Sequence, residues 1–164
     1  MRSLTISWSD PHALAQEFQA GQRASGLEFL RAIRDGRLPS PPIAELLAFR
    51  LVEAEPGHAV FEVLPDERHY NPIGVVHGGL AMTLLDSAMG CAVQTQVPAG
   101  AAYATLEAKT NLTRAITAST GKLRAIGKVV HLGSRVASAE GRLIDGEGKL
   151  YAHATTTCIV LREG

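Results

Sequence analysis

The chain has 164 residues, of which 46% are hydrophobic and 20% charged, a composition typical of a globular protein and not of a disordered or fibrous one. This length fits one domain with a single core. Lysine plus arginine and aspartate plus glutamate each number 16, so the formal net charge is zero and no nucleic-acid partner is expected.

Two features bear on the cellular compartment. The longest nearly apolar run, residues 73–85, contains His77 and is too short to span a bilayer, and the first eight residues lack the apolar core of a signal peptide. Cys91 and Cys158 lie in apolar stretches far apart in the chain, which favours reduced, buried thiols. We therefore expect a cytoplasmic protein without a membrane segment.

The first 42 residues predict a helical extension. Apolar residues recur at helical spacing, and we expect two short amphipathic helices that break near Gly21. Ser25 and Glu28 have the spacing of a capping box at the start of the second helix. The run Pro-Ser-Pro-Pro excludes a continuous helix after them, so we predict a boundary between an extension (1–42) and a main domain (43–164).

The main domain predicts strands around one long helix. After a short helix over 43–49, the expected elements are a hairpin of strands 49–53 and 59–63, a helix over 79–97, and strands over 103–116, 122–131, 136–144 and 150–161. The connections between these strands are too short for crossover helices, so the sheet should be antiparallel. The fold class is therefore α+β, with a curved antiparallel sheet wrapped around one long central helix.

The long helix combines a broad apolar surface with a narrow polar one. Its apolar side chains cover more than half of the circumference, so other structure must enclose it. The remaining narrow face is shared by Thr83, Asp86, Ser87, Gly90 and Gln94. A carboxylate at the border of these two faces should lie beside a cleft, which makes Asp86 a candidate functional residue.

Several other motifs are weak. The six histidines never form a close pair and no Cys-x-x-Cys occurs, so no metal site is expected. Residues 141–146 have the glycine spacing of a phosphate loop, but Glu147 follows where that loop needs lysine, and a hairpin turn is the better interpretation. Cys91 is on the apolar side of the helix and is interpreted as core packing, not as a nucleophile.

The most informative segment is 71–79, which leads into the long helix. Glycines at a helix start let a ligand approach the backbone, and the first N–H groups of a helix have no intrahelical partner. Together with the helix dipole they form a site for an oxyanion. Taken singly, Asn71, His77 or the two glycines are typical of a cap or a turn. Gathered with Asp86 at one helix, they supply donors, an oxyanion site and a base for acyl transfer.

Over residues 43–161 the sequence resembles the hotdog-fold thioesterases of the phenylacetic-acid-degradation (PaaI-like) type. The matching stretches are 71–86, which contains the His-Gly-Gly motif, 105–114, and the tail 139–145 with 152–155. The resemblance implies an acyl-CoA thioesterase that releases a carboxylic acid and free CoA. It also implies a homodimer or homotetramer with active sites between subunits, and no cofactor, because coenzyme A is part of the substrate.

The resemblance also implies a role for individual residues. Asp86 corresponds to the catalytic carboxylate, which acts as nucleophile or as general base on water. Asn71 and His77 correspond to residues that hold and polarise the thioester carbonyl. The oxyanion hole corresponds to the backbone N–H of Gly79, with Gly78 beside it.

Two further roles concern the subunit boundary. Thr105 corresponds to a residue that places the attacking water and is supplied by the facing subunit. The candidates for binding the CoA phosphates are basic side chains near that boundary, namely Arg114, Arg135, Arg124 and Lys128.

Two other functions remain open at the level of sequence. A hotdog hydratase or dehydratase would pair a histidine with a carboxylate placed differently, so the spacing of His77 and Asp86 favours thioester hydrolysis. A binding module would hold an acyl-CoA without turnover, and the extension carries no basic recognition helix that would indicate a DNA-binding regulator. Thiol release from acyl-CoAs separates these functions.

Overall fold

The computed structural model describes residues 3–20 and 25–162. The helices are α1 (Pro11–Ala20), α2 (Gly26–Arg34), α3 (Pro42–Leu47) and α4 (Gly78–Gln94), and the strands are β1 (Phe49–Glu55), β2 (His58–Val63), β3 (Ala101–Leu112), β4 (Leu123–Leu132), β5 (Val136–Asp145) and β6 (Leu150–Arg162). This order agrees with the predicted one. The predicted break near Gly21 lies outside the described residues.

Within the described residues, the strands form one sheet of six in the order β1-β2-β4-β5-β6-β3, and every neighbouring pair is antiparallel. The curved sheet wraps α4, which confirms the predicted hotdog fold. The long strand β3 lies at one edge of the described sheet and pairs there with β6. A bulge between Thr105 and Glu107 shifts its register.

The core forms where α4 packs onto the concave side of the sheet. Leu84, Leu85, Ala88 and Met89 on α4 are fully buried. The helix approaches β4 so closely that a Cβ at Gly127 would overlap the carbonyl of Ala88. Only glycine fits at that point of the sheet, because any side chain would push the helix away.

The ends of two elements differ from prediction for identifiable reasons. Helix α4 ends at Gln94 and not at residue 97. Just after this end, the Thr95 hydroxyl donates to the Ala92 carbonyl at 2.6 Å. Strand β3 ends at Leu112 and not at residue 116. The backbone then turns towards the loop before α4, and the Ile116 carbonyl accepts from the Val76 N–H at 2.9 Å.

The second helix of the extension belongs to the same core. The predicted capping box of Ser25 and Glu28 is confirmed, and Leu30 is 5% exposed among the core residues. The Arg31 guanidinium of α2 donates to the Ala54 carbonyl at 3.1 Å and pairs with Glu55. None of the described helices is long and apolar enough to cross a membrane.

The predicted polar face of α4 is only partly open. Thr83, Asp86 and Ser87 are half-buried, but Gly90 and Gln94 are buried. A Cβ at Gly90 would lie 2.8 Å from a ring carbon of Tyr103, and one at Gly26 would lie 2.6 Å from the amide nitrogen of Gln94. Strand β3 and helix α2 therefore cover the second half of this face, a contact that helical periodicity does not show.

Candidate active site

The loop before α4 is held by its own hydrogen bonds. The side-chain carbonyl of Asn71 accepts from the N–H groups of Ile73 at 3.1 Å and Val75 at 3.3 Å, which leaves its amide NH₂ as a donor. The His77 N–H donates to the His69 carbonyl at 2.7 Å. The loop therefore delivers Asn71 and His77 to the start of the helix in a set geometry.

His77 caps α4 with its imidazole. Its Nδ1 accepts from the Gly79 N–H at 2.8 Å, so in the neutral ring the proton is on Nε2. The Gly79 N–H, predicted as the oxyanion donor, already has this partner. Among the described residues, the Gly78 N–H has no hydrogen-bond partner. The free donor at this helix start is therefore that of Gly78.

A cavity of about 350 Å³ opens at the start of α4. Its lining includes Asn71, Gly78, Leu112 and Arg114, so the structure brings three of the predicted site residues together. A Cβ at Gly78 would lie 2.5 Å from a terminal methyl of Leu112, which shows how closely β3 approaches the helix start. The residues that carry a free backbone N–H, a side-chain amide and a guanidinium thus line one small space.

Asp86 lies two turns along α4 beside a second open cavity, of about 580 Å³. Its Oδ1 accepts from the Thr105 hydroxyl at 3.0 Å, a hydrogen bond between α4 and β3. The resemblance implied that Thr105 would act from a facing subunit, but the structure places it against Asp86 of its own chain. The remaining lining residues are Met82, Thr83, Ala108, Lys109 and Thr110.

These two cavities lie at different heights on the helix. Asp86 is eight residues after Gly78, a separation of about 12 Å at 1.5 Å per residue. One thioester carbonyl cannot contact both groups of a single chain. Two of the four basic candidates, Arg114 and Arg135, are also apart. The Arg114 N–H donates to the carbonyl of Tyr151, and the Arg135 carbonyl accepts from the N–H of Val160, about 30 Å further along β6.

The comparisons with known proteins agree with this architecture. Residues 73–152 match the family profile described as the thioesterase superfamily. A proposed esterase of Saccharolobus solfataricus is 31% identical over 133 residues, which cover 81% of this chain and 93% of that protein. The chain belongs to the thioesterase superfamily. It is a thioester hydrolase with the hotdog fold.

Two further proteins resemble this thioesterase. A single-residue variant of the phenylacetic acid degradation protein PaaI from Thermus thermophilus is 29% identical, with a TM-score of 0.66 over 74% of this chain and 99% of that one. The human protein named acyl-coenzyme A thioesterase 13 is 49% identical over 37 residues, which are 23% of this chain and 26% of that protein.

Cys91, Tyr103 and Cys158 lie near enough to Asp86 to feel its charge. Burial raises the pKa of the Cys91 thiol to about 12, and the negative charge of Asp86 acts in the same direction. Burial likewise raises the pKa of the Tyr103 phenol well above its ordinary value. Cys158 is buried and, like Cys91, free of any disulfide. A thiol that stays protonated at neutral pH is a poor nucleophile, so Cys91 packs and does not attack.

Sequence reasoning placed Thr83 on the same helix face as Asp86 but missed two residues of β3 near it in this thioesterase, Tyr103 and Thr110. Tyr103 and Thr105 are two apart on β3 and so share a face, a signal that was available. Thr110 was hidden because the bulge after Thr105 breaks the alternation of faces. Among the described residues, no group of three or more His, Cys, Asp and Glu side chains could hold a metal ion.

Proposed function

We propose that the substrate is an acyl-CoA and that Asp86 is the catalytic carboxylate. The observation that carries the proposal is the half-buried Asp86, held at 3.0 Å by the Thr105 hydroxyl beside an open cavity on a helix that is mostly buried. A solvated surface aspartate has no need of such a partner. The similarity to a human protein named acyl-coenzyme A thioesterase supports CoA as the leaving group.

The proposed site is shared by two copies of the chain. Because Gly78 and Asp86 of one chain lie about 12 Å apart, the oxyanion donor must come from a second copy whose helix start faces Asp86. Strand β3 supports this arrangement. It lies at the sheet edge with Leu106 61% exposed, and an unpaired edge of 12 residues can pair with its own copy. A homodimer is therefore the smallest active unit, and a homotetramer would contain two such units.

The oxyanion hole is built around Gly78. Its free N–H points from the positive end of α4 and donates to the thioester oxygen as negative charge develops there. The Nε2–H of His77 and the side-chain NH₂ of Asn71 are the other donors, since their remaining polar atoms hold the loop. Gly79 keeps His77 oriented through the 2.8 Å bond and acts beside Gly78, not in its place.

The chemistry needs few groups. Asp86 either takes a proton from water as that water attacks the acyl carbon, or attacks the carbon itself and forms an anhydride that water then opens. In both routes the carbon–sulfur bond breaks, the electron pair leaves on sulfur, and the carboxylic acid and free CoA separate. A thiolate leaves without the protonation that an amine requires, so no cofactor is needed.

CoA binding and location complete the proposal. Arg114 lies beside the helix start, and Arg135 lies at the far end of the sheet, so the phosphates of one CoA would meet Arg114 from one copy and Arg135 from the other. Acyl-CoA substrates are intracellular metabolites, which favours a cytoplasmic location.

The test is thiol release from short, medium, long and aryl acyl-CoAs. The wild type should hydrolyse at least one class, and Asp86→Asn should lower kcat by about 100-fold or more with KM little changed. Glu140→Gln, an acid-to-amide change at an exposed position on β5, is the matched control and should keep full activity. Equal rates for Asp86→Asn and wild type, with equal melting temperatures, would remove Asp86 from the mechanism.

A further inference from the structure

The space between α4 and β3 is a groove in which residues of the two elements meet in successive layers. Asp86 meets Thr105 in the central layer, through the 3.0 Å hydrogen bond. Towards the start of the helix, Thr83 faces Thr110 across the open cavity of about 580 Å³. One turn further along the helix, Gly90 meets Tyr103. We call this space the α4–β3 groove.

Tyr103 closes the α4–β3 groove just beyond Asp86. A Cβ at Gly90 would overlap the Tyr103 hydroxyl oxygen and lie 2.8 Å and 2.9 Å from two ring carbons, so the hydroxyl-bearing edge of the phenol rests directly on the helix backbone. Tyr103 is partly buried and packs against the core, and burial raises the pKa of its phenol. Glycine at position 90 allows this contact, since any side chain would displace the ring.

The two sides of Asp86 differ in polarity. The open side carries Thr83, Lys109 and Thr110, which suit the amides of a pantetheine arm. The closed side carries the Tyr103 ring, the partly buried Cys91 and the buried Cys158, which suit hydrocarbon. An acyl-CoA bound with its thioester carbon at Asp86 would therefore direct its acyl chain towards Tyr103.

We propose that Tyr103 sets the upper limit on acyl chain length, because its ring ends the α4–β3 groove one helical turn beyond the catalytic carboxylate. This inference rests on the proposed function. The inference adds to the proposed function that a residue with no part in bond breaking sets the chain-length specificity of the site. The ring supplies most of the atoms that fill this space, so we expect the ring and not the hydroxyl to be decisive for this role.

The experiment measures kcat/KM for a series of straight-chain acyl-CoAs with wild type, Tyr103→Ala, Tyr103→Leu and Tyr103→Phe. Removing the ring should lengthen the longest chain accepted, because each additional buried methylene gains about fourfold in kcat/KM. Tyr103→Ala should raise the ratio of long-chain to short-chain kcat/KM by at least about tenfold. Tyr103→Phe is the matched control and should keep the wild-type chain-length profile.

Tyr103→Leu is included because the larger truncation in Tyr103→Ala could unfold the protein. The melting temperature of each variant shows whether it is folded. A wild-type profile in a folded Tyr103→Ala or Tyr103→Leu protein would overturn the inference and leave the proposed function standing. A shifted profile in Tyr103→Phe as well would also overturn it, since the hydroxyl and not the ring would then be decisive. A wild type that releases no thiol from any acyl-CoA would refute the proposed function, and this inference with it.

Discussion

Replacing Gly78 by proline removes the N–H that we assign as the oxyanion donor. Proline is favoured at the first position of a helix, and His77 before it has φ −60° and ψ 132°, an extended conformation that a following proline tolerates. The Gly78 N–H has no partner among the described residues, so no bond of the folded chain is broken. Relative to Gly78→Ala, which adds the same Cβ near the Leu112 methyl, the free energy of unfolding of Gly78→Pro should therefore differ by less than about 0.5 kcal/mol.

Activity should fall far more than stability. Loss of one oxyanion donor costs about 100- to 1000-fold in kcat, because the donor acts mainly on the charge that develops in the transition state. Gly78→Ala is the matched control: it adds the same Cβ, 2.5 Å from a terminal methyl of Leu112, and keeps the N–H. The measurement is kcat for thiol release together with urea unfolding of both variants. A Gly78→Pro enzyme within about threefold of Gly78→Ala would refute the assignment of Gly78 as oxyanion donor.

Mixing tests whether the site is shared between copies. Gly78→Pro and Asp86→Asn each inactivate both sites of a homodimer, but a mixed dimer has one intact site. Equal amounts, unfolded and refolded together, should recover about a quarter of wild-type activity, since half of the dimers are mixed and each has one working site of two. No recovery, with mixed dimers shown by native mass spectrometry, would place both groups in one chain's site.

Two further predictions concern the neighbours of Asp86. Thr105→Val should lower kcat/KM by about tenfold, because a hydrogen bond to a charged group at an exposed position contributes about 1.5 kcal/mol. Thr105→Ser keeps the hydroxyl and should restore the activity. An unaffected Thr105→Val enzyme would show that the hydrogen bond to Asp86 has no role in catalysis. Raising the pKa of Cys91 from 9.0 to about 12 lowers the thiolate fraction at pH 8 from about one in ten to about one in ten thousand. Alkylation of Cys91 by iodoacetamide should therefore be slow, and its rate should rise about tenfold per pH unit until the pH reaches this pKa. Mass spectrometry of the labelled peptide measures this rate, with the urea-unfolded chain as control. Fast labelling of the folded protein at pH 8 would contradict the buried, protonated thiol.

Local patterns were sufficient for the elements of this fold. The apolar surface of α4 has helical period and covers more than half of the circumference, and that requires enclosure whatever the partner. Two local motifs show this, the capping box at Ser25 and Glu28 and the turn Asp145-Gly146-Glu147-Gly148. Each involves atoms within four residues of one another, so the residues that form it are neighbours in the sequence. Short connections between strands then left only antiparallel pairing.

The candidate site was only partly predictable for the same reason. Asn71, His77, Gly78 and Asp86 are close in the chain, and their spacing with the family resemblance was enough to select them. Which glycine N–H stays free was not predictable, because it depends on the rotamer by which the imidazole of His77 reaches Gly79. The His-Gly-Gly motif in the sequence does not specify whether the Gly78 N–H or the Gly79 N–H remains free.

By itself, the sequence determined the α+β class, the long central helix and the carboxylate at the border of its polar face. Only the tertiary structure decided what lies opposite that face. Strand β3 reaches α4 through pairing with β6, 40 to 60 residues further along the chain, and the bulge after Thr105 sets which of its side chains point inward. The contacts of Thr105 with Asp86 and of Tyr103 with Gly90 follow from that register, which depends on the packing of the whole sheet around the helix.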